Sequence, residues 1–134
     1  MRSQTADLHN FILNSNGISP LFGQAEKDLS PLLEHPTSYV LLDNGKNAAS
    51  VFEWTAPRVW QAHTYFLPEV RGKQGIADAK AMIRHMFEQE RALILWGQTP
   101  LGNRPARIFN RLIGAVSDGG DEHHGSGPVE YFIV

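Results

Sequence analysis

The stretch "EVRGKQGIADAKAMIRHMFEQ", residues 69 to 89, sets Gly72 and Gly75 beside Arg71 and Lys73 at the mouth of a helical pattern. The first turn of a helix leaves N–H groups without intrahelical partners, and the helix dipole places roughly half a positive charge there. Glycine lets an anion approach such amides without a Cβ in the way. Arginine and lysine add charge that a bare turn does not need. The chemistry offered is anion binding, with a plain turn as the alternative. The Walker pattern needs a lysine followed by serine or threonine at the helix start, and "GKQGIADAK" lacks it. The dinucleotide pattern, a G-x-G start inside a parallel βαβ unit, is absent as well.

Other elements must hold this loop in place. "ADLHNFILNSNG" puts Leu8, Phe11 and Ile12 on one helical face, with Asn16-Gly17 as a stop. "AEKDLSPLLEHP" reads as one or two short helical turns broken by Pro31 and ended before Pro36. "SYVLLD" and "AASVFEW" flank a hairpin signature at Asn44-Gly45, and "TAPR" turns into "VWQAHTYFL", giving three consecutive antiparallel strands. After the glycine loop, Ala79, Met82, Ile83, Met86 and Phe87 share a helical face. "ALILW" is a continuous apolar run, as in a strand covered on both faces. Asn103 caps "RPARIFNRLIG", with Pro105 in the first turn and Gly114 as the stop. "AVSD" and "VEYFIV" supply the last strands, and the polar "GGDEHHGSGP" between them reads as a long loop. The order is ααβββαβαββ, in one domain over residues 1–134.

Composition narrows the function classes. A chain without cysteine has no disulfide, thiolate zinc site or cysteine nucleophile. A net charge of −2 gives no general attraction to nucleic acid; Arg71, Lys73, Arg104, Arg107 and Arg111 form a local anion site at most. No apolar run is long enough to span a bilayer and no signal-peptide core is present, so a cytoplasmic protein is expected, with no membrane partner. Asp121 to His124, "DEHH", is a poor metal set because adjacent histidines rarely reach one ion together, so no metal is expected.

"RGKQGIA", a helix, and then "ALILWGQTPLGNRPARIFNRLIGA" resemble the GCN5-related N-acetyltransferase (GNAT) family. That family carries Q/R-x-x-G-x-G/A after its fourth strand and N-x-x-A-x-x-x-Y-x-x-x-G-F after its fifth. Gly75-Ile76-Ala77 matches G-x-A, and Asn103, Ala106 and Gly114 fall at the right spacing. The likeness covers about residues 38 to 134 and is strongest to short GNAT-like proteins of tailed bacteriophages. It implies an α+β fold with a mixed, mostly antiparallel central sheet flanked by helices, the first strand being reduced or absent. Arg71 lies four residues before Gly75 rather than three, so Gly72 falls where the family has Gln or Arg. Asn110 takes the place of the tyrosine that often protonates the leaving thiolate, and Ala115 that of a phenylalanine.

The resemblance implies an acyltransferase that uses acetyl-coenzyme A as co-substrate. The pyrophosphate would rest on the loop of Arg71, Gly72, Lys73, Gln74, Gly75, Ile76 and Ala77. The pantetheine arm would lie in the splay between the fourth and fifth strands, around Phe66, Leu67, Pro68 and Val70 and around Leu95 to Gln98, with Asn103 nearby. The acceptor is an amine, on a small molecule or a protein, that attacks the thioester directly. His63, sharing a strand face with Gln61, Tyr65 and Leu67, is the first candidate for the general base and Glu53 the second. Asn110 completes the catalytic set without titrating, and Tyr65 or Tyr131 could stand in for the missing tyrosine. A monomer or homodimer fits. The alternative is a catalytically reduced binding or virion-assembly protein on the same fold.

Overall fold

The Asn44 side chain folds back on the chain and accepts the N–H groups of Lys46 (2.9 Å), Asn47 (2.8 Å) and Ala48 (2.9 Å), while Gly45 takes a positive φ of 74°. This turn fixes the first hairpin. The computed structural model describes residues 1–15, 26–70, 72–100, 102–123 and 127–134. Helix α1 (Asp7–Leu13) and a 3-10 turn (Ser30–Glu34) precede β1 (Tyr39–Asp43), β2 (Ala48–Ala56) and β3 (Val59–Phe66). Helix α2 (Lys73–Glu88), β4 (Ile94–Pro100), α3 (Arg104–Leu112), β5 (Val116–His123) and β6 (Gly127–Ile133) follow. The six strands form one sheet in the order β1-β2-β3-β4-β6-β5. Every neighbouring pair is antiparallel except β3–β4, the two strands joined through α2. This is the mixed α+β architecture and element order that the sequence implies. Ahead of α1, Ser3 donates its N–H to the Leu41 carbonyl (2.7 Å), in place of a full first strand.

Each face of the sheet has its own core. On the back face, Met82 and Met86 of α2 pack against Val40, Leu42, Phe52, Trp60 and Leu95. On the front face, Ile12 and Leu13 of α1 cover Leu41, Ala49, Val51 and Tyr65. Burying an aliphatic or aromatic side chain of this size contributes about 1.5–3 kcal/mol, so these two layers fix the plane in which β2 and β3 lie.

Three sequence expectations change. Phe11 is 64% exposed and His9 is fully buried instead, because Ala6, His9 and Leu13 form the inward stripe of α1 and both His9 ring nitrogens find partners. The run "ALILW" is not covered throughout: β4 starts at Ile94, and Leu93 is 61% exposed. Most of "GGDEHHGSGP" is strand rather than loop, with Gly120 opposite Glu130 and His123 opposite Gly127. Backbone pairing needs no apolar side chain, and a register shift between Ser117 and Gly120 absorbs the glycines. The Asn16-Gly17 stop, Arg71 and His124 lie outside the described residues.

Candidate functional site

Strands β3 and β4 pair only at their beginnings, through Val59–Ile94, Trp60–Leu95 and Gln61–Trp96. Beyond these three pairs β4 turns to β6, pairing from Trp96–Ile133 to Pro100–Val129, while β3 stays with β2 as far as Phe66–Ala48. The two parallel strands therefore part after Gln61, which opens a gap between their facing edges. Gly97 lines the β4 side, and a Cβ there would collide with the Phe132 ring, so only glycine lets that ring lie across the strand.

The inner end of this splay leads to the start of α2. Gly72 is the N-cap with φ 64° and ψ −133°, a region that residues with a Cβ rarely adopt, and no atom lies within 4 Å of where its Cβ would stand. Gly72 accepts the Ile76 N–H (3.2 Å), and among the described residues no side chain caps the helix. The amides of Lys73, Gln74 and Gly75 are thus the uncapped first-turn donors. The two glycines of the opening stretch have different tasks. Gly72 is exposed and makes the turn; Gly75 is buried inside the helix, where a Cβ would touch Val70 Cγ1 at 3.5 Å and Phe66 Cε1 at 3.8 Å. Gln74 Nε2 donates to Asp78 Oδ1 (3.0 Å), Ile76 is half-buried, and Ala77 and Pro68 face solvent. Val70 is buried, and the Leu67 N–H donates to the Asn47 carbonyl (2.9 Å).

Helix α3 forms the opposite wall. The Asn103 side chain accepts the Ala106 N–H (3.3 Å) as an N-cap. The Phe109 ring meets Phe66 edge-on with centroids 5.3 Å apart, which joins α3 to the end of β3. Asn110 is buried, and its Nδ2 donates to Thr99 Oγ1 (3.0 Å). Arg107 Nη2 donates to the buried Glu130 carboxylate (3.3 Å).

His63 stands on the front face just past the point where β3 and β4 part. Its Nε2 lies 3.7 Å from Glu53 Oε2, and 39% of its side chain is exposed. Burial lowers its pKa below the ordinary 6.5, and the Glu53 carboxylate opposes that shift. The ring is consequently neutral at pH 7, able to accept a proton and reachable from solvent. Tyr65, two residues on, is different in kind. It is 4% exposed and hydrogen-bonded to His9 Nδ1, and burial raises its pKa, so it belongs to the core. Tyr131 is half-buried on the front face, its ring 6.4 Å from that of Trp96. Trp96 and Gln98 line the same face. Trp96 falls within the expected Leu95 to Gln98 stretch, but reading "ALILW" as a uniform apolar run left its facing unassigned; strand alternation from the buried Leu95 is the signal that gives it.

This architecture is the GNAT fold: a mostly antiparallel sheet, a single splayed parallel pair, and two helices flanking the splay. No family model and no curated protein matches the chain. Solved structures do. The spermidine N-acetyltransferase of Vibrio cholerae, in complex with CoA and spermine, is 15% identical at a TM-score of 0.77, over 100% of this chain and 92% of that one. Aminoglycoside acetyltransferase AAC(6')-Ib in complex with coenzyme A is 16% identical at a TM-score of 0.75, over 100% of this chain and 92% of that one. A GNAT-family acetyltransferase from Bacillus anthracis is 17% identical at a TM-score of 0.58, over 72% of this chain and 63% of that one. The likeness is one of fold.

Proposed function

We propose that the chain is an acetyl-CoA-dependent N-acetyltransferase acting on an amine, with residues 1–134 working as one domain. The observation that carries this reading is the limited β3–β4 pairing: a slot opens after Gln61 and runs to a helix start that no side chain caps among the described residues. The neighbours solved with coenzyme A share this fold and support that ligand. Bound coenzyme A would supply the activated thioester. The chain's part is to hold it and to handle the proton.

In this reading the Gly72 turn and the amides of Lys73, Gln74 and Gly75 take the pyrophosphate, with Arg71 and the Lys73 ammonium adding charge. Ile76 and Ala77 complete that turn. Phe66, Leu67, Pro68 and Val70 form the β3 wall beside the pantetheine arm, and Asn103 stands on the α3 side. His63 takes the proton from the attacking amine as its nitrogen bonds to the carbonyl carbon and the carbon–sulfur bond breaks. Glu53 supports the imidazolium that results. Asn110 holds α3 to β4 and donates no proton, so the thiolate leaves without an acid from that position.

The amine acceptors in the neighbours' complexes, spermine among them, support a small cationic acceptor. The sequence likeness to short bacteriophage proteins supports a phage-encoded enzyme working in a host cytoplasm. One observation favours the reduced binding or assembly protein as second reading: the tyrosine position holds an asparagine already engaged by Thr99. Thiol release from acetyl-CoA in the presence of an amine panel separates the two. The enzyme releases CoA with the amine and not without it; the assembly protein releases none.

A further inference from the structure

The Gln61–Trp96 pair is the last between β3 and β4, so Trp96 stands at the closed end of the splay. Its indole crosses the front of β3 and reaches β2, two strands away: Nε1 donates to Thr55 Oγ1 (3.1 Å). The same hydroxyl donates to the Val59 carbonyl (3.2 Å), so it is engaged on both sides. The Tyr131 ring packs against the indole at a tilt of 47°, with centroids 6.4 Å apart. Thr55 lies on the far side of Glu53 from Val51, the β2 partner of His63, so the indole is drawn away from His63 and over the root of the splay. Within the sheet plane the Gln61–Trp96 pair closes the gap. Behind the sheet, the buried Phe132 ring lies across Gly97, and Trp60 and Leu95 belong to the core. The splay is therefore shut at its root on three sides: in the plane, behind it, and in front by a pinned ring.

The depth of the slot decides what meets this end. Five residues of β3, Ala62 to Phe66, have no β4 partner, which is about 17 Å of strand. Helix α2 starts beside Phe66, whose Cε1 lies 3.8 Å from where a Gly75 Cβ would stand. An extended pantetheine arm of about a dozen bonds spans roughly 15 Å. With the pyrophosphate on the α2 amides, the thioester comes level with His63 and the acyl group points at the Gln61–Trp96 pair. We infer that Trp96 is the residue that limits the acyl group: acetyl fits between His63 and the indole, and a longer chain meets the shut root. Further methylenes have room only in front of His63, in the space the acceptor amine needs. The inference rests on the acetyltransferase reading above and adds to it the acyl group transferred and the side chain that selects it.

The test compares acetyl-CoA with butyryl-CoA, by calorimetric binding and by kcat/KM for thiol release across the amine panel. One methylene that misfits an apolar pocket changes selectivity by about 10- to 200-fold, so two give the wild type a preference for acetyl-CoA of about 100-fold or more. Trp96→Ala opens the root and narrows that ratio to about tenfold or less. Thr55→Val, at an exposed position, unpins the indole and narrows it by a smaller factor. An unchanged ratio in Trp96→Ala overturns the inference; where thermal melts show that variant unfolded, an unchanged ratio in Thr55→Val does so. Equal use of the two acyl-CoAs by the wild type removes the acyl limit and leaves the acetyltransferase reading standing. Selective binding of acetyl-CoA without transfer to any amine keeps the limit and removes the acetyltransferase reading. No binding of either acyl-CoA overturns both.

Discussion

The two walls of the splay are built differently. On the α3 side the polar groups are already matched: Asn103 caps its helix, Asn110 holds Thr99, and Arg107 meets Glu130. On the β3–α2 side the helix start has no side-chain cap among the described residues, and His63 stands 3.7 Å from Glu53 with its ring partly exposed. A polar group satisfied within the chain contributes to stability; one left open contributes to it little and is free to meet a ligand. The contrast teaches that substitutions on the β3–α2 wall should cost function at nearly constant stability, and those on the α3 wall stability first.

The largest effect is expected at His63. His63→Ala should lower kcat by about 100-fold or more, the usual contribution of a general base, while acetyl-CoA affinity stays within a few-fold. The profile of kcat/KM should rise with pH through a midpoint below 6.5, because burial lowers the His63 pKa. Glu53→Gln should move that midpoint lower still, since Glu53 is the group raising it. An equal loss of acetyl-CoA binding in His63→Ala would assign His63 to the structure of the wall instead.

Next comes the support beneath β3. His9 is buried between Tyr65 and Ser3, and burial lowers its pKa from 6.5 to about 4, with Asp43 opposing. Its folded pKa lies below the unfolded one, so the unfolded chain takes up the proton first as pH falls. Stability is therefore full above pH 6.5 and declines from there to about pH 4. The loss is on the order of 3 kcal/mol. Urea midpoints at pH 7.5 and 4.5 measure it, and His9→Gln should flatten the dependence over this window. A slope that survives in His9→Gln would place the titrating group elsewhere.

A third change reverses charge on the open helix start. Lys73→Glu should weaken acetyl-CoA by about 10- to 100-fold through loss of one charge-assisted contact and repulsion of the phosphates. Thermal stability should hold or rise by about 0.3–1 kcal/mol, since a carboxylate suits a helix N-terminus. On the opposite wall, Asn103→Ala should cost about 1 kcal/mol of stability, the usual value of a lost N-cap, and change acetyl-CoA affinity by threefold or less. A reversed pattern, with Lys73→Glu destabilising the fold and Asn103→Ala abolishing binding, would exchange the roles of the walls.

Much of the frame was legible because its signals are local. Asn44-Gly45 specified a turn, Asn103 with Pro105 a helix start, and the Ala79, Met82, Met86 stripe a buried helical face. What escaped depends on partners remote in the chain. His9 is buried only because Tyr65, 56 positions away, meets its ring. The aromatic corner of Trp96 and Tyr131 exists only once β4 and β6 pair, and neither residue signals it alone. Strand β6 likewise supplies the pairing that lets the glycine-rich stretch of β5 be strand. Gly72 and Gly75, read together as one loop, have separate tasks: Gly72 makes the turn and Gly75 packs inside the helix.

The central claim is that the open wall binds the phosphates of acetyl-CoA, and calorimetric titration of the wild-type chain with acetyl-CoA tests it most directly. The account predicts saturable binding at one site per chain, weakened by rising salt and by Lys73→Glu. No binding heat at millimolar acetyl-CoA, or equal heats for the wild type and Lys73→Glu, would contradict it.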